Sequence, residues 1–200
     1  MSNIVKAVVS IVGVRPLLQH AFGPSAIPLE KQERTGVAGN DPEEWKRTCM
    51  VTADKQLFIK GTYVFGMLVA AAKNTKKGKG SIQVLVAATL QIDEEEVLLD
   101  RFLPSVPDYD NRKPVYIDVA GVVNPGTKAR NVRYRLAAAP GWKATFTIKW
   151  DKVVVGRDLM ANVLTDAGTL VGLGNGRKIG YGRFEVEKFE ILDAESKTAA

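Results

Sequence analysis

The stretch Gly172-Leu173-Gly174-Asn175-Gly176-Arg177-Lys178-Ile179-Gly180-Tyr181-Gly182-Arg183-Phe184-Glu185-Val186 decides how this chain reads. Five glycines (172, 174, 176, 180, 182) fall within eleven residues, with Arg177, Lys178 and Arg183 among them. Glycine lets one backbone approach another closely, and interleaved Arg and Lys suit a polyanion. A dinucleotide-binding fingerprint would follow a strand and open a helix; here the order is reversed. Leu159, Met160, Val163, Leu164, Ala167, Leu170 and Val171 repeat at helical spacing ahead of the loop. Asp158 can cap that helix, and Gly172 can end it. Behind the loop Phe184 and Val186 alternate as in a strand, and Phe189 and Ile191 resume one step out of phase, which predicts a β-bulge. This order excludes a nucleotide-cofactor site. It leaves a loop that contacts a polyanion, or a mobile, solvated helix-to-strand connection.

Working outward, Val132, Tyr134, Leu136 and Ala138 alternate with Arg133 and Arg135. After Pro140-Gly141, Trp142, Ala144, Phe146, Ile148 and Trp150 alternate with Lys143, Thr145, Thr147 and Lys149. Such period-2 patterning on both sides of a turn predicts an antiparallel hairpin with one basic face. Ile4–Val12 and Gln56–Lys60 read as strands, Tyr63–Lys73 as an apolar, deeply packed helix, and Ile82–Leu99 as a mixture of strand-like runs with the acids Asp93–Glu96. Val115–Val123 reads as a strand and Asn124-Pro125-Gly126 as a turn. The Pro- and Gly-rich stretch 14–54 and the stretch 99–130 are irregular excursions, and a loop of the first one's length is functional or disordered. A short helix starting at Asp41-Pro42-Glu43-Glu44-Trp45 is expected inside it. Without the excursions the order is strand, helix, strand, strand, helix, strand. That is an α+β, ferredoxin-like (RRM-like) βαββαβ core with an antiparallel sheet, forming one domain over 1–200 with insertions 14–54 and 99–130.

The net charge of +6 and pI near 9.4 favour an acidic partner such as nucleic acid. Cys49 stands alone, so there is no disulfide framework and no Cys-based metal site. His20, the one histidine, excludes His-rich metal ligation and a His-dependent triad is not expected; after a strand end it reads as packed or capping. No apolar run reaches the roughly 18 residues of a membrane span, and the N-terminus lacks a signal pattern, so a soluble, cytoplasmic chain is expected.

The residues Leu57-Phe58-Ile59-Lys60-Gly61-Thr62-Tyr63-Val64-Phe65-Gly66-Met67-Leu68 and the terminal GLGNGRKIGYGRF resemble the RAMP superfamily, which builds CRISPR effector complexes. The first is similar to that family's strand, Gly-Ser/Thr step and first helix; the second is similar to its C-terminal glycine-rich loop. The resemblance implies a backbone subunit that polymerises along a guide RNA beside other effector subunits, with one insertion folded as a thumb over the neighbour's RNA. Some such subunits cut target RNA with an acid in the loop after the first strand. Here that region holds Asp41, Glu43, Glu44 and Asp54 in no matching motif, so the chain is expected to be non-catalytic, without metal or cofactor.

The expected function is therefore the coating of single-stranded nucleic acid, RNA in preference to DNA, by repeated copies of the chain. Arg15, Lys73, Lys76, Lys77, Lys79, Lys128, Arg130, Arg177, Lys178 and Arg183 would contact phosphates, with Gly174, Gly176 and Tyr181 shaping the site. Phosphate contacts position a strand without reading its sequence. The sheet's open face would carry Arg133, Arg135, Lys143 and Lys149 rather than the aromatic residues of RNA-recognition domains, so backbone contact and not base stacking is expected there. The alternative is a stand-alone single-strand-binding protein of phage or mobile-element origin, stacking bases on Tyr63, Tyr109, Tyr181 and Trp45. An assembly protein whose basic charge is incidental is a further reading. An enzyme is disfavoured, because no P-loop, triad or metal-ligand cluster is present.

Overall fold

In a computed structural model the described residues are 3–23, 40–126 and 128–192; part of the 14–54 excursion, residues 24–39, lies outside them. β1 (Ile4–Gly13) is followed by the two-residue strand β2 (Leu17–Leu18), the short helix α1 (Glu44–Thr48), β3 (Gln56–Lys60) and helix α2 (Gly61–Ala71). A small ladder of β4 (Lys76–Lys77) and β5 (Gly80–Ser81) leads to helix α3 (Gln83–Thr89), β6 (Gln91–Ile92) and β7 (Glu96–Phe102). The remaining elements are β8 (Val115–Val123), β9 (Arg130–Ala138), β10 (Lys143–Asp151), helix α4 (Arg157–Asp166) and β11 (Phe184–Leu192). No helix among the described residues is long and apolar enough to cross a membrane.

The main sheet runs β11-β1-β10-β7-β3, with β6 extending the ladder of β10, and its pairings are antiparallel. Its first four strands, with α2 and α4, have the ferredoxin-like order; β3 adds an edge. Period-2 burial explains the packing. On β1, Val5, Ala7, Val9 and Ile11 are buried, and Trp142 at the entry to β10 and Phe146, Ile148 and Trp150 on it are fully buried. Both indoles have their polar handle satisfied, Trp142 Nε1 by the Arg15 carbonyl at 2.9 Å and Trp150 Nε1 by the Val155 carbonyl at 2.9 Å. Val64, Met67 and Leu68 of α2 and Met160, Val163 and Leu164 of α4 close the core. The bulge expected in the last strand is present: Ser10 pairs with Lys188 but Ile11 with Val186, leaving Glu187 extra.

β9 and β10 do not form the expected hairpin. β10 lies between β1 and β7, whereas β9 lies in a second sheet of order β2-β9-β8. Gly141 N–H bonds to the Gly13 carbonyl and Gly13 N–H to the Trp142 carbonyl, both at 2.7 Å, so the turn docks on the end of β1 and starts a new sheet. Both excursions supply this second sheet, β2 from the first and β8 from the second. One of its faces, with Leu17, Val115, Ile117, Leu136 and Ala138, packs into the main core.

Three further readings are corrected. Ile82, Val86 and Leu90 are buried four residues apart, so α3 is helical where strand-like runs were expected. The stretch Lys73–Gly80, whose four lysines in seven residues repel one another and read as a flexible, solvated loop, is folded in part as the β4–β5 ladder. Gly156, not Asp158, holds the N-cap of α4, and Asp158 sits in its first turn.

Candidate nucleic-acid interface

The glycine-rich loop is stitched into place and is not a mobile connection. α4 continues as a wider turn over Ala167–Val171 and stops at Gly172. Leu173 N–H then bonds to the Gly182 carbonyl at 2.9 Å, closing the loop on itself. The chain after β1 holds its other side: Asn175 N–H reaches the Leu18 carbonyl at 2.9 Å, Gly182 N–H the Pro16 carbonyl at 2.7 Å, and Val14 and Arg15 N–H the Arg183 carbonyl at 2.8 and 3.2 Å. Gly182 has φ +68, and a Cβ there would lie well inside van der Waals contact of the Leu173 carbonyl oxygen. The apex is a single 3₁₀ turn, Arg177–Ile179, whose three side chains are exposed. Stitching therefore brings Arg15, Gly174, Gly176, Arg177, Lys178, Tyr181 and Arg183 into one element. Arg15 is exposed, whereas Arg183 is half-buried, one terminal nitrogen having no partner among the described residues.

Tyr181 leads from the loop to the second sheet. Its ring packs on Leu18, Tyr116, Ala137 and Ala139, and its hydroxyl bonds to Asp118 Oδ1 at 3.2 Å. Asp118 pairs across the ladder with Arg135, and Ala120 with Arg133, so these side chains share one face. His20 lies beside Arg135 and feels its charge. Buried and without hydrogen-bond partners among the described residues are His20 Nδ1, Arg135 Nε and Asp118 Oδ2. Burial pushes the Asp118 carboxyl above the usual range, against the pull of the Tyr181 hydroxyl and Arg135. It also pushes the Tyr116 phenol up to about 12, with help from Asp118. At the far end of β8–β9, beyond the Asn124 turn, Lys128 and Arg130 are exposed. Arg130 pairs with Val123 and so has the register parity of Leu136 and Ala138, opposite to Arg133, Arg135 and Asp118, so the exposed cations at the hairpin tip stand apart from that polar face.

The His20, Arg135, Asp118 row was not read from sequence as a site. The alternation of Arg133 and Arg135 with apolar residues places them by sequence on the main sheet's open face, whereas they lie in the second sheet. The available signal was Asp118, a carboxylate inside an otherwise apolar strand. Arg133 is also committed elsewhere: Glu44, buried on α1, accepts from its guanidinium at 3.0 Å and from Tyr134 N–H at 3.0 Å.

The open face of the main sheet is not the basic surface the sequence suggested. Lys6 and Lys149 both bind Asp93, at 3.0 and 2.6 Å, Lys143 binds Glu187 at 2.9 Å, and Lys188 binds Glu190 at 2.6 Å. The Lys149 ammonium, seconded by Lys6, holds the Asp93 carboxyl below its ordinary value. Polyanion attraction needs unneutralised cations, and these four lysines are each paired with a carboxylate. Lys73, Lys76, Lys77 and Lys79 are exposed, but the β4–β5 ladder carrying them leans on α4, with Thr75 bonded to Asp166 at 3.2 Å and Lys77 Nζ to the Val154 carbonyl at 3.2 Å.

The aromatic candidates are mostly unavailable for stacking. Trp45 is buried, Tyr63 packs on the core, Tyr181 is half-buried, and Tyr109 alone of the four is exposed. The loop acids have structural partners: Asp41 pairs with Arg47, Glu43 with Lys46 and Glu44 with Arg133. Asp54 is exposed in a turn. No group of acids, His and Cys among the described residues could hold a metal ion.

Burial, seconded by the Arg135 charge, lowers the His20 pKa below 6.5. The folded state then disfavours the imidazolium, so the stability His20 contributes is present above pH 6.5 and lost as pH falls through the lowered folded value. His20→Gln is expected to flatten the fall in stability on acidification below pH 6.5, read as urea midpoints across that range. An unchanged slope would mean that His20 binds protons equally in the folded and unfolded states.

No protein-family model matches the chain, and no curated protein matches it. The fold is similar to a chain of the cryo-EM structure of the Type III-B Cmr-beta bound to cognate target RNA, with TM-score 0.51 and 13% sequence identity. The match covers 94% of this chain and 61% of that one, so this chain spans less than two thirds of its length.

Proposed function

We propose that this chain is a non-catalytic member of the RAMP superfamily that binds single-stranded RNA. Repeated copies coat a guide RNA as the backbone of a CRISPR-type effector complex. The observation that carries the reading is the stitched glycine loop, which holds Arg177 and Lys178 outward and sets Arg15 and Arg183 side by side. The fold's likeness to a chain of the Type III-B Cmr-beta bound to cognate target RNA supports the same direction. Lys128 and Arg130 add exposed cations at the tip of the β8–β9 hairpin. Contact is to phosphate more than by stacking, since of the four aromatic candidates Trp45 is buried, Tyr63 and Tyr181 are half-buried, and Tyr109 alone is exposed.

The test is fluorescence anisotropy of labelled RNA and DNA strands of about 6 to 40 nucleotides at two salt concentrations. Salt-sensitive RNA binding that saturates in equal length increments is the expected result. Equal or tighter DNA binding would overturn the guide-RNA reading in favour of a stand-alone single-strand binder. Absence of binding to either would leave an assembly protein.

A further inference from the structure

The two ends of α2 carry opposite chemistry. Its N-terminal end opens on a cavity of about 500 Å³ floored by Phe58, Phe65 and Ile92. Leu98, the cross-strand partner of Phe58, is 45% exposed and continues the apolar surface. The rim holds Glu94, Glu95 and Glu96 against the single cation Lys60. Glu94 is occupied by Thr147 N–H at 2.8 Å, whereas Glu95 and Glu96 are exposed. Just beyond the C-terminal end, Lys73, Lys76, Lys77 and Lys79 are exposed; Lys77 Nζ reaches the Val154 carbonyl at 3.2 Å, and the adjacent Val153 is 66% exposed. None of the four lysines has an ion pair among the described residues.

The eleven residues of α2 place the two patches about 16 Å apart along its axis. They therefore cannot meet within one molecule. Across two molecules they are complementary: lysine stems can cover an apolar floor while their ammonium groups reach rim carboxylates. Opposed charge of this kind sets orientation and partner choice more than raw affinity. Because the patches differ, the contact is head-to-tail and continues from copy to copy unless its rotation closes a ring.

We propose that the lysine ladder of one copy docks on the α2 cavity of the next. The contact rests on the repeated-copy part of the proposed function, and it assigns these four lysines to protein rather than RNA.

The test is sedimentation velocity of the full chain without RNA, comparing wild type, Glu95→Lys with Glu96→Lys, Lys76→Glu with Lys77→Glu and Lys79→Glu, and an equimolar mixture of the two variants. Wild type is expected to associate as concentration rises. Each variant alone should associate at least about tenfold more weakly, and mixing should restore association, since each reversed patch then meets its complement. All substituted residues are exposed, and far-UV circular dichroism checks that both variants are folded. Binding of a short RNA that spans one copy is expected to be unchanged in both. A wild type that stays monomeric to about 100 µM would overturn the contact, and the cavity would then belong to a different basic partner. So would variants that associate like wild type, or a mixture that fails to restore association. Loss of short-RNA binding in the lysine variant with association intact would return those lysines to the RNA and also overturn it. Failure of wild type to bind any RNA would sink the RNA reading alone, leaving this contact to be judged by the association data.

Discussion

Gly182→Ala is expected to lower the melting temperature by about 10 °C, as read by circular dichroism. Two effects add. An L-residue in the left-handed region costs about 1–2 kcal/mol, and Gly182 has φ +68. Its new Cβ would also press on the Leu173 carbonyl oxygen, and the N–H of that same residue donates to the Gly182 carbonyl, so neither residue can retreat without loosening the hydrogen bond that closes the loop. Overpacking of this kind costs about 1–3 kcal/mol. At about 2–4 °C per kcal/mol for a chain of this size, the sum gives the stated shift. Gly180→Ala separates the two effects, because Gly180 has φ +94 but open space where its Cβ would stand. That variant is expected to lose about 4 °C, from backbone strain alone. Equal losses at both positions would mean that the contact with Leu173 contributes nothing.

The same residues show what could be read from sequence. The helix, glycine loop and bulged strand were legible because each signal is local: apolar spacing in α4, the glycine that ends it, and a one-residue slip between Val186 and Phe189. The ferredoxin-like order followed from those elements in sequence. What failed was pairing. Alternation along Val132–Ala138 and Trp142–Trp150 marks each strand as half-buried but is silent on the partner. Two strands facing one core from different sheets carry the same pattern as a hairpin. That error moved Arg133 and Arg135 onto a face where they do not lie. It hid the row of His20, Arg135 and Asp118, whose members are separated by 115 residues at the widest and meet only through the second sheet. Charge was misread for a related reason. Lys143 and Lys149 are basic in the strand but neutralised by Glu187 and Asp93 across the sheet, and no one-dimensional pattern reports such pairs.

Arg177→Ala with Lys178→Ala is expected to weaken single-stranded RNA binding about 25-fold at about 0.1 M salt, and about equally for every sequence tested. The reasoning starts from geometry. Both side chains leave a 3₁₀ turn whose backbone is closed by Ile179 N–H to the Gly176 carbonyl at 3.0 Å and Gly180 N–H to the Arg177 carbonyl at 3.2 Å. Both are exposed, so truncation removes charge without removing packing, and the melting temperature is expected to stay within about 2 °C of wild type. Each phosphate contact on a single strand releases about 0.7 of a counterion, so two lost contacts lower the slope of log K against log salt by about 1.4. The same 1.4 log units is the affinity loss at about 0.1 M salt, and it shrinks toward zero as salt approaches about 1 M. A loss that persists at high salt would point to a lost non-ionic contact, and an unchanged slope would remove the glycine loop from the RNA surface. Uniformity across sequences carries the last step. Contacts to phosphate position a strand without reading it, so a variant that weakened some sequences far more than others would show that this loop reaches the bases, and the coating role proposed for the chain would fail with it.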